Sequence, residues 1–144
     1  IADVLNQLGE KHVRVVHSQD ALDETSLAAY SYVKKKKNDE VTEWIIQPED
    51  VDIDSQTLSG LSVDSADESL ALIQNALSKN KTAHGEKAAN MIALNAGAGI
   101  YVAGLTKNYK QGVALAHDII YGGQALEKLS VLSEFTKALK QYPA

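Results

Sequence analysis

The chain has 144 residues, of which 44% are hydrophobic and 23% charged, with a net charge of -5 and no cysteine. That length suits one compact domain with a core and is too short for two. No apolar run approaches the ~20 residues that cross a bilayer, disulfides and thiolate metal sites are excluded, and the acidic balance argues against broad nucleic-acid binding. No basic-then-apolar leader is evident, so secretion is not expected and a cytoplasmic setting fits. A phosphate-bearing substrate stays open, because a bound divalent cation can reverse the local field.

Ile1, Val4, Leu5 and Leu8 fall at helical spacing, with Gly9 as a stop. Because the helical pattern is already running at Ile1, the chain is expected to be part of something larger. Lys11 to His17 (KHVRVVH) predicts a short strand on its β-branched valines, and Ser18 to Thr25 (SQDALDET) a polar loop. Leu27 to Lys35 and Val41 to Gln47 predict a hairpin around a turn at Lys36 to Asp39, closed by Pro48. Residues 49 to 64 read as an intra-domain connection anchored by Val51, Ile53, Leu58, Leu61 and Val63.

Ser65 and Glu68 have capping-box spacing, and Leu70, Ile73 and Leu77 repeat at helical intervals behind them. Glu86 to Ala103 is apolar nearly all round, the mark of a buried helix. Its Gly97 and Gly99 each cost about 1 kcal/mol of helix propensity relative to Ala, which predicts close packing there. Asn108 with Gln111 predicts another cap, for a helix ending at Gly122 and Gly123. A last helix carries Leu126, Leu129, Leu132, Phe135 and Leu139 and frays at Pro143. Strands followed by four helices predict an α/β fold, a mixed sheet with helices packed on it.

The chemistry-bearing cluster is Asp20, Asp23 and Glu24, directly after the first strand, where open α/β sheets gather ligands. Mg²⁺ takes one or two protein carboxylates and fills its remaining positions with water and substrate phosphate oxygens, so adjacent acids could hold it. An acid-rich loop that merely stays wet, or caps a turn, would look the same. His12, His17, His84 and His117 share no zinc spacing and flank no nucleophile, and read as structural. Lys34 to Lys37 read as a solvated hairpin tip. Asn95, in the apolar helix, needs a partner if buried, and a neighbouring loop is the expected one. No Gly-rich phosphate cradle is present.

Three stretches together resemble the anthranilate phosphoribosyltransferase family. Val15 to Ser26 (VVHSQDALDETS) is similar to the pattern V-V-H-G-x-D-G-L-D-E-x-S. Gln47 to Ile53 (QPEDVDI) is similar to P-E-D-F-G-L. Leu94 to Gly104 (LNAGAGIYVAG), with QGVALA at 111–116 and GQA at 123–125, is similar to the family's C-terminal helices. The resemblance implies that residues 1–144 form the C-terminal portion of the family's α/β domain. The N-terminal helical domain and the first strands would then lie outside it.

It further implies transfer of the phosphoribosyl group of phosphoribosyl pyrophosphate (PRPP) to the anthranilate amine, in tryptophan biosynthesis, with Mg²⁺ as cofactor and Asp23 and Glu24 as its ligands. Asp20 would shape the loop. The family's pyrophosphate loop and anthranilate-contacting arginine lie upstream, so no catalytic residue is assigned and these 144 residues are expected to be inactive alone. A homodimer through the helical domain is implied, and partners are small molecules rather than nucleic acid or membrane. The runners-up are a pyrimidine nucleoside phosphorylase-like enzyme and a non-catalytic ligand- or nucleic-acid-binding paralogue.

Four positions depart from the pattern. Ser18 and Ala21 stand where glycines are usual, Asp52 replaces the glycine of P-E-D-F-G-L, and Asn80 stands where glycine is common. Ala21 fits easily only if its position does not need a positive φ.

Overall fold

A computed structural model of the chain describes residues 1–37 and 40–141. A short helix α1 (Ala2–Gln7) leads into β1 (His12–Ser18), β2 (Ser31–Lys37) and β3 (Glu40–Ile46), then a 3-10 turn (Pro48–Val51). Four helices follow: α2 (Ala66–Leu77), α3 (Ala83–Val102), α4 (Tyr109–Gly122) and α5 (Gln124–Gln141). The sheet is a meander in the order β1-β2-β3, with both pairs antiparallel. This is the mixed α/β fold expected, a single sheet layer with helices packed on it.

Register explains the burial. Val16, Val33 and Trp44 lie abreast across the three strands, and Val33 and Ile46 sink into the core while Val16 and Trp44 pack against it. Tyr32 and Ile45, one residue out of phase, stay exposed on the other face, as the two-residue side-chain period of a strand requires.

Two expectations for the hairpin need correction. Its first strand begins at Ser31, not Leu27, because local bonds compete with the ladder: Ala28 N–H donates to Ser26 Oγ, and Leu27 C=O accepts from Gln56 N–H. Lys34 to Lys37 are not a solvated tip. They belong to β2 and pair with β1. Lys36 is only 4% exposed, and its Nζ donates to Glu10 O at 2.8 Å; a long stem lets the ammonium reach a carbonyl while its methylenes pack. Asn38 and Asp39 of the expected turn lie outside the described residues.

α2 and α4 form where the Ser65 and Asn108 caps predict, while α3 starts at Ala83, ahead of the expected Glu86, behind a cap at Thr82. Ser65 Oγ accepts from Glu68 N–H, Thr82 Oγ1 from Gly85 N–H, and Asn108 Oδ1 from Gln111 N–H. Glu68 returns its carboxylate to Asp64 N–H, one residue earlier than the usual capping box. The apolar stripe of α2 is turned from the expected one: Leu72, Ala76 and Leu77 face the core, whereas Leu70 and Ile73 are 47% and 38% exposed.

α3 and α4 are the heart of the helical layer, because glycines let them touch. A Cβ on Gly97 would lie 2.5 Å from Val113 N, and one on Gly112 would lie 2.3 Å from Gly97 O. Gly99, expected to serve the same purpose, has nothing within 4 Å of the same position. On α5, Leu126 and Leu129 pack against the core, while Leu132, Phe135 and Leu139 remain exposed. Pro143 lies outside the described residues. Among those residues, no helix is long and apolar enough to cross a membrane.

Candidate metal and substrate loop

The loop from β1 to β2 is closed by its own polar groups. Ser18 N–H donates to Leu22 O, Ala21 N–H to Ser18 O, and Gln19 N–H to Tyr30 O. Ser26 Oγ donates to Asp20 Oδ2 at 2.6 Å, and Ser26 N–H donates to Ser31 Oγ. Burial pushes the Asp20 carboxyl up, but hydrogen bonds from the Ser18 and Ser26 hydroxyls and from backbone N–H groups outweigh it and hold Asp20 below the ordinary carboxylate value. Asp20 therefore shapes the loop.

Ala21 takes φ +67° inside this closure, the left-handed region in which glycine is at ease. Asp52 does the same at the end of the 3-10 turn, with φ +63°. Ser18 and Asn80 have no positive φ. Of the four glycine departures, two fall where backbone geometry favours glycine.

The far end of the loop is held from α3. Thr25 is 1% exposed. Its N–H donates to Asn95 Oδ1 at 2.9 Å, and its C=O accepts from Asn95 Nδ2 at 3.0 Å. Asn95 thus satisfies a neighbouring loop, as its place in an apolar helix required. Strung between these two closures, Asp23 and Glu24 are exposed and line a cavity of about 430 Å³ together with Arg14, Thr25 and Asn95. Glu24 also borders a second hollow of about 360 Å³, walled by Leu58, Leu61, Leu72 and Met91.

Asp23 and Glu24 make no ion pair among the described residues, and no group of three or more potential metal ligands occurs there. Two carboxylates at a cavity wall do not make a closed protein site. They do fit a hard cation that completes its shell with water and phosphate oxygens.

Beneath the loop lies a residue that the sequence reading passed over. All three Arg14 guanidinium nitrogens are buried without a hydrogen-bond partner among the described residues, and the Thr25 hydroxyl is in the same condition. The guanidinium carbon stands 3.8 Å from the centre of the Tyr109 ring, while the Tyr109 hydroxyl donates to Leu94 O. Burial pushes Arg14 below its ordinary value, and Tyr109 and Tyr101 offset part of that. The available signal was alternation: Arg14 is two residues from Val16 on one strand face, so a cation occupied a core-side position.

Of the histidines, only His12 lines the cavity that Asp23 and Glu24 share. His12 stacks edge-on against Tyr101 with ring centres 4.9 Å apart, the ring of His84 lies against Gly60, His117 Nε2 is 3.1 Å from Asn90 Oδ1, and His17 is exposed. None touches Asp23 or Glu24 through a hydrogen bond among the described residues.

A sheet layered under helices, with an acid pair at a cavity wall on the loop that leaves its first strand, is the architecture of an α/β domain. The chain belongs to the glycosyl transferase family, whose a/b domain pattern matches residues 1–126. Within it, the chain is similar to anthranilate phosphoribosyltransferases. It is 69% identical over 142 residues to that of Acinetobacter baylyi, covering 99% of this chain and 41% of that protein. It is 56% identical over 141 residues to that of Pseudomonas fluorescens, covering 98% and 40%.

The crystal structure of the Thermus thermophilus anthranilate phosphoribosyltransferase superposes with a TM-score of 0.81 at 30% identity, over 94% of this chain and 39% of that one. The Saccharomyces cerevisiae enzyme in complex with PRPP and Mg shares the fold, with a TM-score of 0.69 at 19% identity over 81% and 33%. The chain spans about two fifths of the length of the relatives it matches.

Proposed function

We propose that residues 1–144 are the C-terminal portion of the α/β domain of an anthranilate phosphoribosyltransferase. The whole protein would transfer the phosphoribosyl group of PRPP to the anthranilate amine. The observation that carries this reading is 69% identity to an enzyme of that name, sustained across nearly the entire chain. Asp23 and Glu24 are the proposed magnesium ligands. Their support is the pairing of exposed carboxylates, without an ion pair among the described residues, at one cavity wall on a loop pinned at both ends.

In this reading the two carboxylates would hold magnesium for the pyrophosphate end of PRPP, with the loop pinned on either side of them by the Asn95 and Ser26 hydrogen bonds. Magnesium, when bound, supplies charge stabilisation to the departing pyrophosphate without a proton transfer. The remaining substrate contacts belong to other parts of the whole protein, so the 144 residues by themselves carry no turnover. A homodimer assembled through a helical domain, and a cytoplasmic location suited to a cysteine-free chain, belong to the same reading.

The test follows loss of anthranilate fluorescence in the full-length protein on adding PRPP and Mg²⁺. Wild type should consume anthranilate rapidly. Asp23→Asn/Glu24→Gln should be slowed, with partial recovery at excess Mg²⁺. No consumption by wild type would defeat the assignment and turn attention to nucleoside phosphorolysis. Turnover by the 144-residue chain would defeat the claim that it is incomplete as a catalyst.

A further inference from the structure

We infer that Asn95 is a positioning residue for the metal-binding pair, acting through the backbone of Thr25. The inference rests on the reading of Asp23 and Glu24 as magnesium ligands and adds a third residue to it, on a different element. Asn95 is 70 residues away from Thr25 in the chain, yet its amide meets both polar groups of that residue. Oδ1 accepts the Thr25 N–H at 2.9 Å, and Nδ2 donates to Thr25 O at 3.0 Å and to Met91 O at 3.1 Å. The orientation of the amide is therefore determined by its partners. Turned over, its oxygen would face two carbonyls and its nitrogen an N–H.

The geometry of the clamp decides what it controls. The Thr25 N–H belongs to the peptide group shared with Glu24, and the Thr25 carbonyl to the peptide group shared with Ser26. One side chain thus holds two successive peptide planes, and with them the direction in which Glu24 leaves the backbone. Thr25 cannot drift, because it is 1% exposed and packed below the loop. On the other side, Ser26 Oγ ties the chain back to Asp20 at 2.6 Å. Asp23 and Glu24 are the exposed residues between two anchors.

Magnesium gives such a clamp a purpose. Its shell is close to octahedral with oxygens at about 2.0–2.1 Å, so it tolerates little wandering of its ligands. Residues that orient the ligands from behind typically change metal affinity or activity by about 10- to 100-fold when lost. Helix propensity gives no reason for an asparagine here, since Ala or Leu would serve α3 better. Its neighbours Ala93 and Leu94 are fully buried. A clamp that only stabilised the fold would lower melting temperature without favouring the metal, and this is where the two roles part.

The experiment measures Mn²⁺ binding by the full-length protein in the presence of inorganic pyrophosphate, from the electron paramagnetic resonance signal of free Mn²⁺. Steady-state kinetics at varied Mg²⁺ accompany it. Asn95→Leu removes all three hydrogen bonds while keeping the branched shape of the side chain. Asn95→Ser is the gentler variant, whose short hydroxyl does not span to Thr25. Both should weaken Mn²⁺ binding by about 10-fold or more, raise the half-saturating Mg²⁺, and recover kcat at saturating Mg²⁺. Ile120→Ala, a core truncation at the far end of α4, should lower melting temperature while leaving Mn²⁺ affinity unchanged.

Folded Asn95→Ser with wild-type Mn²⁺ affinity, alongside a loss in Asp23→Asn, would overturn the inference and leave the acid pair standing. An equal loss in Ile120→Ala would reduce Asn95 to a structural role. If Asp23→Asn and Glu24→Gln also bind Mn²⁺ as wild type does, the underlying reading falls and takes this one with it.

Discussion

At the scale of single residues, two positions hold conformations or charges that the local chemistry opposes. Ala21 sits at φ +67°, where an L-residue with a Cβ is disfavoured by about 1–2 kcal/mol. Ala21→Gly should therefore stabilise the chain, by somewhat less than that because glycine loses more entropy on folding; urea denaturation of the two proteins would show it. Asp52 shares the geometry at φ +63° but is the better tolerated residue there, since aspartate visits this region more readily. Its carboxylate also meets Lys110 Nζ at 2.7 Å on an exposed surface, a contact of small worth. Arg14 is the other case. A guanidinium buried without an acceptor among the described residues pays for desolvation and recovers only part of it from Tyr109 and Tyr101. Arg14→Met should raise the stability of this chain by about 1–3 kcal/mol; an unchanged or lower urea midpoint would mean that the ring contact compensates fully.

At the scale of elements, the crossing of α3 and α4 separates two glycines that look alike in sequence. Gly97 and Gly99 lie in the same helix, yet a Cβ on the first would collide with the backbone of Val113 while the second faces open space. Gly97→Ala should destabilise, because overpacking typically costs about 1–3 kcal/mol and backbone cannot step aside as a side chain can. Gly99→Ala should stabilise by up to about 1 kcal/mol through helix propensity alone. Thermal melts of the pair should move in opposite directions. A matching sign would show that the helices can separate without loss. The same packing explains α2, where the helical period was legible but the buried face was not. Leu70 and Leu72 are equally apolar, and only the direction from which α3 approaches makes Leu72 the one that packs against the core.

At the scale of the whole molecule, pH couples to folding through partly buried imidazoles. His117 is held below its ordinary value of 6.5 by burial, which outweighs the upward pull of Glu86 and Asp118 and is aided by Lys81. His12 is lowered too, first by burial and then by Lys37 and Lys35, against an opposing hydrogen bond to the Val102 backbone. A histidine with a depressed folded-state pKa binds its proton more tightly when unfolded, so the unfolded state gains as pH falls. Stability should be complete above pH 6.5 and decline as pH drops through that value toward the lower folded-state pKa. Asp20, lowered from 3.8, adds a further loss only in stronger acid. Urea midpoints at pH 7.5, 6.5 and 5.5 would trace the first decline, and His117→Gln should flatten it. A midpoint independent of pH over that range would contradict the lowered values of the two histidines.

The sequence by itself determined whatever depends on neighbours a few residues apart. The caps at Ser65 and Asn108, the stop at Gly123, the period of each helix and the acid pair after the first strand are all written in short spacings. A hydrogen bond from residue i to i+3 does not depend on where the rest of the chain goes. The tertiary structure alone settled which of two equivalent glycines touches a neighbour, which stripe of α2 faces the core, and that Lys36 is buried against the Glu10 carbonyl rather than in water. It also decided that Asn95 grips Thr25 across 70 residues and that Arg14 lies against Tyr109. Those pairings depend on chain reversals and on the angle at which layers meet, and burial of a polar or charged group is settled by what arrives opposite it.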